Sequence, residues 1–190
     1  AAYNFDRKVH VKQAEELTAN LFWGVDFNVD YMTAVLGCEY SDGTIHYFDE
    51  IRLSNSNTEQ LAQAMKKVAP NINVFPDSSG RARSTTSNKS DHIILMDNGF
   101  NVIARKANPP IIDRLNALNR MLSDANGKVR MTVDPKCIYL IKDLEQVQRS
   151  RDGKIDKIKD ISLTHALDAC SYYIALKHPV VQRLATSSQW

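Results

Sequence analysis

At 190 residues, 43% of them hydrophobic and 24% charged, the chain is long enough for one folded domain whose core needs no covalent staples. A formal charge of +2, from 24 basic and 22 acidic side chains, does not mark a nucleic-acid binder by composition, so any basic face has to be local. Three scattered cysteines (Cys38, Cys137, Cys170) with no CxxC fit reduced core thiols of a cytosolic protein, and neither a leader peptide nor an apolar run of about 18 residues suggests a membrane role.

In chain order, residues 8–19 read as a short polar helix or an arm. "LFWGVDFNV" (21–29) and "YMTAVLGCEY" (31–40) read as buried strands, and "SDG" (41–43) supplies a hairpin turn into a third strand, "TIHYFDEIRL" (44–53). The pattern then changes period. Residues 57–69 are helical with Asn57 as N-cap, and "INVFPD" (72–77) is a short apolar strand ending in Pro76. A polar loop, "SSGRARSTTSNKS", follows, then a helix over 89–98 closed by Gly99 and a strand over 101–106. Pro109 and Pro110 open a helix to about Ser123, and "KVRMTV" (128–133) is another strand. Asp134 and Pro135 are expected as N-cap and first residue of a helix bearing Ile138, Ile141, Leu144 and Val147. After a turn over 149–157, a final helix spans about 163–178.

A three-strand antiparallel meander followed by alternating helix and strand predicts an α/β domain with a mixed sheet flanked by helices. Among known folds this resembles the ribonuclease H-like one, and that resemblance implies that the fourth strand lies beside the first. The expected organisation is a linker or arm over 1–20, the domain over 21–178 and a tail over 179–190.

Three carboxylates then stand out. Asp26 closes the first strand, Asp77 follows the fourth, and Asp168 lies in "HALDACSYY", at the edge of a helical stripe of Leu163, Leu167, Cys170 and Ile174. Neighbouring first and fourth strands bring Asp26 and Asp77 to one sheet edge, and a helix packed across it brings Asp168. Clustered acids repel, and hard divalent cations with oxygen ligands relieve them. Two such ions, about 3.5–4 Å apart, activate water and stabilise the leaving oxygen of a phosphodiester. Each acid also has a purely structural reading: Asp26 as a turn former, Asp77 as a loop cap, Asp168 as half of a salt bridge. His165 shares a face with Asp168 and reads as a capping histidine or a supporting group at the site.

The chain resembles the nuclease domain of the large terminase subunit of headful-packaging tailed double-stranded-DNA bacteriophages. The resemblance runs from about Trp23 to Lys177 and rests on "WGVDFNVDYMTAV", "FPDSSG", "DPKCIYLIKDLEQV" and "DGKIDK" with "THALDACSYYIAL". Thr164 departs from the pattern, standing where many relatives carry a second acid or an Asn. What the resemblance implies is a metal-dependent endonuclease that cuts concatemeric viral DNA at the start and end of packaging. It implies Asp26, Asp77 and Asp168 as catalytic metal ligands for two Mg²⁺ or Mn²⁺ ions. It also implies double-stranded DNA, an N-terminal ATPase motor, the small terminase subunit and the portal as partners, with no membrane. The place of action would be the host cytoplasm, at the viral procapsid. No GxxxxGK[ST] loop occurs, so the motor is expected outside this stretch, with the chain an excised domain.

Arg81, Arg83 and Lys89, in the loop after Asp77, are candidates for gripping DNA phosphates, with Arg105 and Lys106 as weaker ones. Alternatives of other classes are a non-catalytic adaptor docking the motor to portal or capsid, an actin-like or sugar-kinase-like ATPase, and another nuclease of this fold such as a junction resolvase. The ATPase needs glycine-rich nucleotide loops, and the seven glycines are not so arranged. Ser78 and Ser79 show no nucleophile triad.

Overall fold

Phe22, Gly24 and Asp26 alternate with Trp23 and Val25 along β1 (Leu21–Asp26), and this period of two divides the interior. Phe22 enters a core beneath the C-terminal helices, while Trp23 and Val25 enter a second core on the opposite face. The computed structural model describes residues 1–17, 20–28, 30–82, 89–148 and 162–180. The predicted turn over 149–157 lies outside the described residues, as does the predicted tail over 179–190 except for residues 179 and 180.

The expected meander is present. β2 (Tyr31–Glu39) pairs antiparallel with β1, and β3 (Ile45–Ser54) antiparallel with β2. The turn between β2 and β3 uses Gly43 at φ +77°, and the Asp42 carboxylate accepts from Thr44 N at 2.9 Å. β4 (Asn73–Pro76) lies parallel to β1. β5 (Asn101–Val102) extends that edge beyond β4, and β6 (Met131–Val133) lies parallel to β3. The sheet order is therefore β5-β4-β1-β2-β3-β6.

One face of the sheet carries α2 (Thr58–Val68) and α3 (Asp91–Asp97); the other carries α4 (Ile111–Leu122), α5 (Ile138–Gln146) and α6 (His165–Lys177). Asn57 caps α2 in a reciprocal box with Gln60. The short α1 (Arg7–His10) sits in an N-terminal segment laid against α4 and β6. His10 Nε2 lies 2.9 Å from Leu122 O, and Lys12 N donates to Val133 O at 3.0 Å. All three cysteines are free and buried, and no described helix is long and apolar enough to cross a membrane.

Two local expectations are corrected. α5 does not begin at Asp134–Pro135. Asp134 instead accepts from Lys136 N at 3.0 Å in a turn, and the helix starts at Ile138 without a side-chain cap from its own N-cap residue. Its open N–H groups are met from another element: Glu50 on β3 accepts from Tyr139 N at 2.7 Å and Leu140 N at 2.9 Å. The strand predicted over 101–106 shortens to two residues, because Arg105, Lys106 and Ala107 are exposed on the way to Pro109.

Candidate active site

Asp26 is placed by β1 and Asp77 by β4, and the parallel register makes them neighbours. Val25 pairs with Pro76, and Asp77 N donates to Val25 O at 3.0 Å. Asp77 then caps a 3-10 turn (Ser78–Arg81), its Oδ1 accepting from Ser79 N at 2.7 Å. The loop-capping reading is thus physically present, and the other oxygen remains directed at the site. Asn108 holds the pair of elements together, donating to Asp77 Oδ1 at 2.6 Å and accepting from Ser78 N at 2.9 Å.

α6 lies across β1 at very short range because of Gly24. A Cβ at that position would collide with the carbonyl oxygen of Ala169. The helix is buried on every side from His165 to Ala175, rather than along the single stripe the sequence suggested. It delivers three side chains to the strand ends. His165 Nδ1 lies 3.0 Å from Asp26 Oδ2. The Tyr172 hydroxyl donates to Asp77 Oδ2 at 3.1 Å and lies 3.5 Å from Asp26 Oδ1, so the two carboxylates converge on one phenol. Asp168 is paired through Oδ1 with Arg114 Nη1 of α4 at 2.8 Å.

The electrostatics follow from this packing. Burial pushes the Asp26 carboxyl up, His165 pulls it down, and the charges of Asp168 and Asp77 push it up again, with a net rise. Burial also acts upward on Asp77, but hydrogen bonds from Asn108, Ser79 and Tyr172 outweigh it and hold that carboxyl below the usual range. Burial and then the charges of Asp26 and Asp168 drive the Tyr172 hydroxyl far above its ordinary value, which keeps it a proton donor. Among the described residues, no three His, Cys, Asp or Glu side chains stand close enough to share an ion in this arrangement. The donor chemistry nevertheless fits a hard divalent cation. Carboxylate oxygens of Asp26 and Asp77 meet at the Tyr172 hydroxyl, and Asp26 feels both other acids.

Sequence reasoning missed Arg114 and Asp143. Asp143, on α5, is 1% exposed and accepts from Ala166 N at 2.9 Å and Leu167 N at 3.1 Å. It does the capping that Thr164, in the left-handed region at φ +86° and without a side-chain cap, does not. The signal was a carboxylate on the apolar face set by Leu140, Ile141 and Leu144. Glu50 caps α5 and Asp143 on α5 caps α6, so two remote acids in series fix the helix that carries the site. Burial raises the Asp143 carboxyl to about 6, against hydrogen bonds from the α6 backbone that lower it. The folded state therefore keeps a proton that the unfolded chain has already released. Stability from this group is full below about pH 4 and is lost as pH rises through about 6, a change of about 3 kcal/mol. Urea titrations of the wild type and Asp143→Asn at pH 4.5 and 7 check this. The variant is expected to lose less stability across the interval, and an equal loss in both would contradict it.

Of the predicted DNA-binding residues, Arg81 is exposed beside Asp77 and donates to Ala104 O at 2.7 Å. Lys89 pairs with Asp97 at 2.5 Å on the surface, and Arg83 lies outside the described residues.

Solved structures share this arrangement of strands and helices. The nuclease domain of the P22 large terminase superimposes with a TM-score of 0.73 at 17% identity, over 94% of this chain and 93% of that one. The nuclease domain of the g2p large terminase from bacteriophage SPP1, solved with bound Mn, gives a TM-score of 0.54 at 18% identity, over 86% of this chain and 94% of that one. The fold is ribonuclease H-like. No protein-family model and no curated protein matches the chain. These likenesses show the fold.

Proposed function

We propose that the chain is a metal-dependent endonuclease domain of the large-terminase type, cutting concatemeric double-stranded DNA at initiation and termination of genome packaging. The observation that carries this reading is the convergence of Asp26 and Asp77, at the ends of adjacent parallel strands, beneath the helix bearing Asp168. The SPP1 nuclease domain, solved with bound Mn, has the same fold and supports a divalent ion here.

In this reading Asp26, Asp77 and Asp168 hold two Mg²⁺ or Mn²⁺ ions. Bound there, the ions would lower the pKa of water and neutralise charge on the scissile phosphate and the departing oxygen. Asp26, which feels the charges of both other acids, would be one of the residues holding the ions. His165 orients the Asp26 carboxylate, and the Tyr172 phenol fixes the facing oxygens of Asp26 and Asp77. Burial of Asp26 and Asp168 keeps bulk water away and strengthens each charge interaction. Arg81, Arg83 and Lys89 would hold backbone phosphates without reading sequence. The exposed Lys89–Asp97 pair is worth little and can be exchanged for a phosphate. The packaging role brings with it an ATPase motor, the small terminase subunit and the portal as partners, at the procapsid in the host cytoplasm.

Incubated with supercoiled plasmid and Mn²⁺ or Mg²⁺, the protein is expected to nick and linearise it with little sequence preference, and EDTA to stop the reaction. Intact plasmid with either metal, together with no Mn²⁺ binding by calorimetry, would overturn the nuclease reading and favour a non-catalytic adaptor.

A further inference from the structure

Arg114 carries its guanidinium from α4 into the carboxylate cluster, where the residue is 6% exposed. Nη1 donates to Asp168 Oδ1 at 2.8 Å and to Ser171 Oγ at 2.6 Å, and the group lies over the Tyr172 ring, 4.8 Å from its centroid. Nε is buried with no hydrogen-bond partner. A guanidinium has five N–H groups and is costly to bury with any of them unmet, so charge holds this one in place. Burial lowers its pKa, but Asp168, Tyr172 and Asp26 raise it by more. The acidic cluster thus carries its own cation, and that cation occupies one carboxylate oxygen of Asp168.

We propose that Arg114 is a resident counter-charge that competes with divalent cations for Asp168, so that ion binding displaces the guanidinium from Oδ1. This rests on the reading of Asp26, Asp77 and Asp168 as ion ligands. The ion pair and an incoming dication cannot both use Oδ1 at close range, and their like charges repel strongly where water is excluded. The Tyr172 ring gives the displaced guanidinium an apolar, electron-rich surface to rest on. Arg114 acts only through Asp168: it stabilises the metal-free fold and weakens ion affinity.

Mn²⁺ titration by calorimetry, without DNA, tests this on the wild type, Arg114→Met and Asp26→Asn, with melting curves of each. Arg114→Met is expected to bind Mn²⁺ about tenfold more tightly, within the usual span of coupling between competing ligands. Its metal-free melting temperature should fall, and the rise on adding Mn²⁺ should exceed that of the wild type. A purely structural role would leave affinity unchanged or weaken it. Unchanged or weaker binding by folded Arg114→Met, with Asp26→Asn impaired, overturns the competition and leaves the ligand assignment standing. Absence of binding by the wild type overturns both. If Arg114→Met does not fold, Arg114→Lys is read instead. Lysine keeps the charge but not the planar guanidinium lying over Tyr172, so a smaller tightening is expected, and equal or weaker affinity overturns the proposal.

Discussion

Asp26→Asn is expected to lower metal-dependent DNA cleavage about a thousandfold while leaving the metal-free protein no less stable than the wild type. The rate effect follows from the several kcal/mol of charge stabilisation that ions supply in such sites, at roughly tenfold per 1.4 kcal/mol. The stability effect follows from burial. The folded state raises the Asp26 carboxyl, so at neutral pH its charge costs stability that a neutral amide of the same size does not. Asp168→Asn should impair cleavage similarly but destabilise by about 3 kcal/mol, because it leaves the buried Arg114 without its carboxylate. Single-turnover cleavage and urea denaturation of the two variants check the contrast. Equal stability effects would mean that Arg114 is not held by Asp168, and cleavage at the wild-type rate by folded Asp26→Asn would remove Asp26 from the chemistry.

Gly24→Ala is expected to cost about 3 kcal/mol, a large effect for one added methyl group. The obstacle is backbone, the Ala169 carbonyl, with the Val35 side chain next to it. The carbonyl cannot rotate away as a flexible side chain would, so α6 has to lift from β1. That movement separates His165 from Asp26 and Tyr172 from both acids, and cleavage should fall with stability. A urea midpoint shift of that size with unchanged m-value is the expected result. A neutral effect would show that the helix is not seated on this strand.

The legible part of the sequence was the part governed by short-range rules. Alternation and turn chemistry marked β1 to β3, and Asp26 and Asp77 were visible because each ends a hydrophobic run. The neighbouring of β1 and β4 came from likeness to a known fold, since no local rule fixes which strands pair. What escaped was supplied across the chain. Glu50 and Asp143 cap helices far from themselves in sequence, so the start of α5 was placed too early and α6 lacked an evident cap. Arg114 drew no reading from the sequence, because its partner lies 54 residues away. The stripe on α6 was read from spacing, but a helix enclosed on all sides has no stripe.

The three acids differ in how open they are. Asp77 is half-buried, bordered by exposed Ser79 and Asn108, while Asp26 beneath α6 and Asp168 on it are each only 7% exposed. Among the three, Asp77 is the one most open to solvent. Under the proposed reading, a small cation would find Asp77 the most accessible of the three carboxylates. The half-open acid sits where arrivals are received, and the two covered ones sit where they are retained.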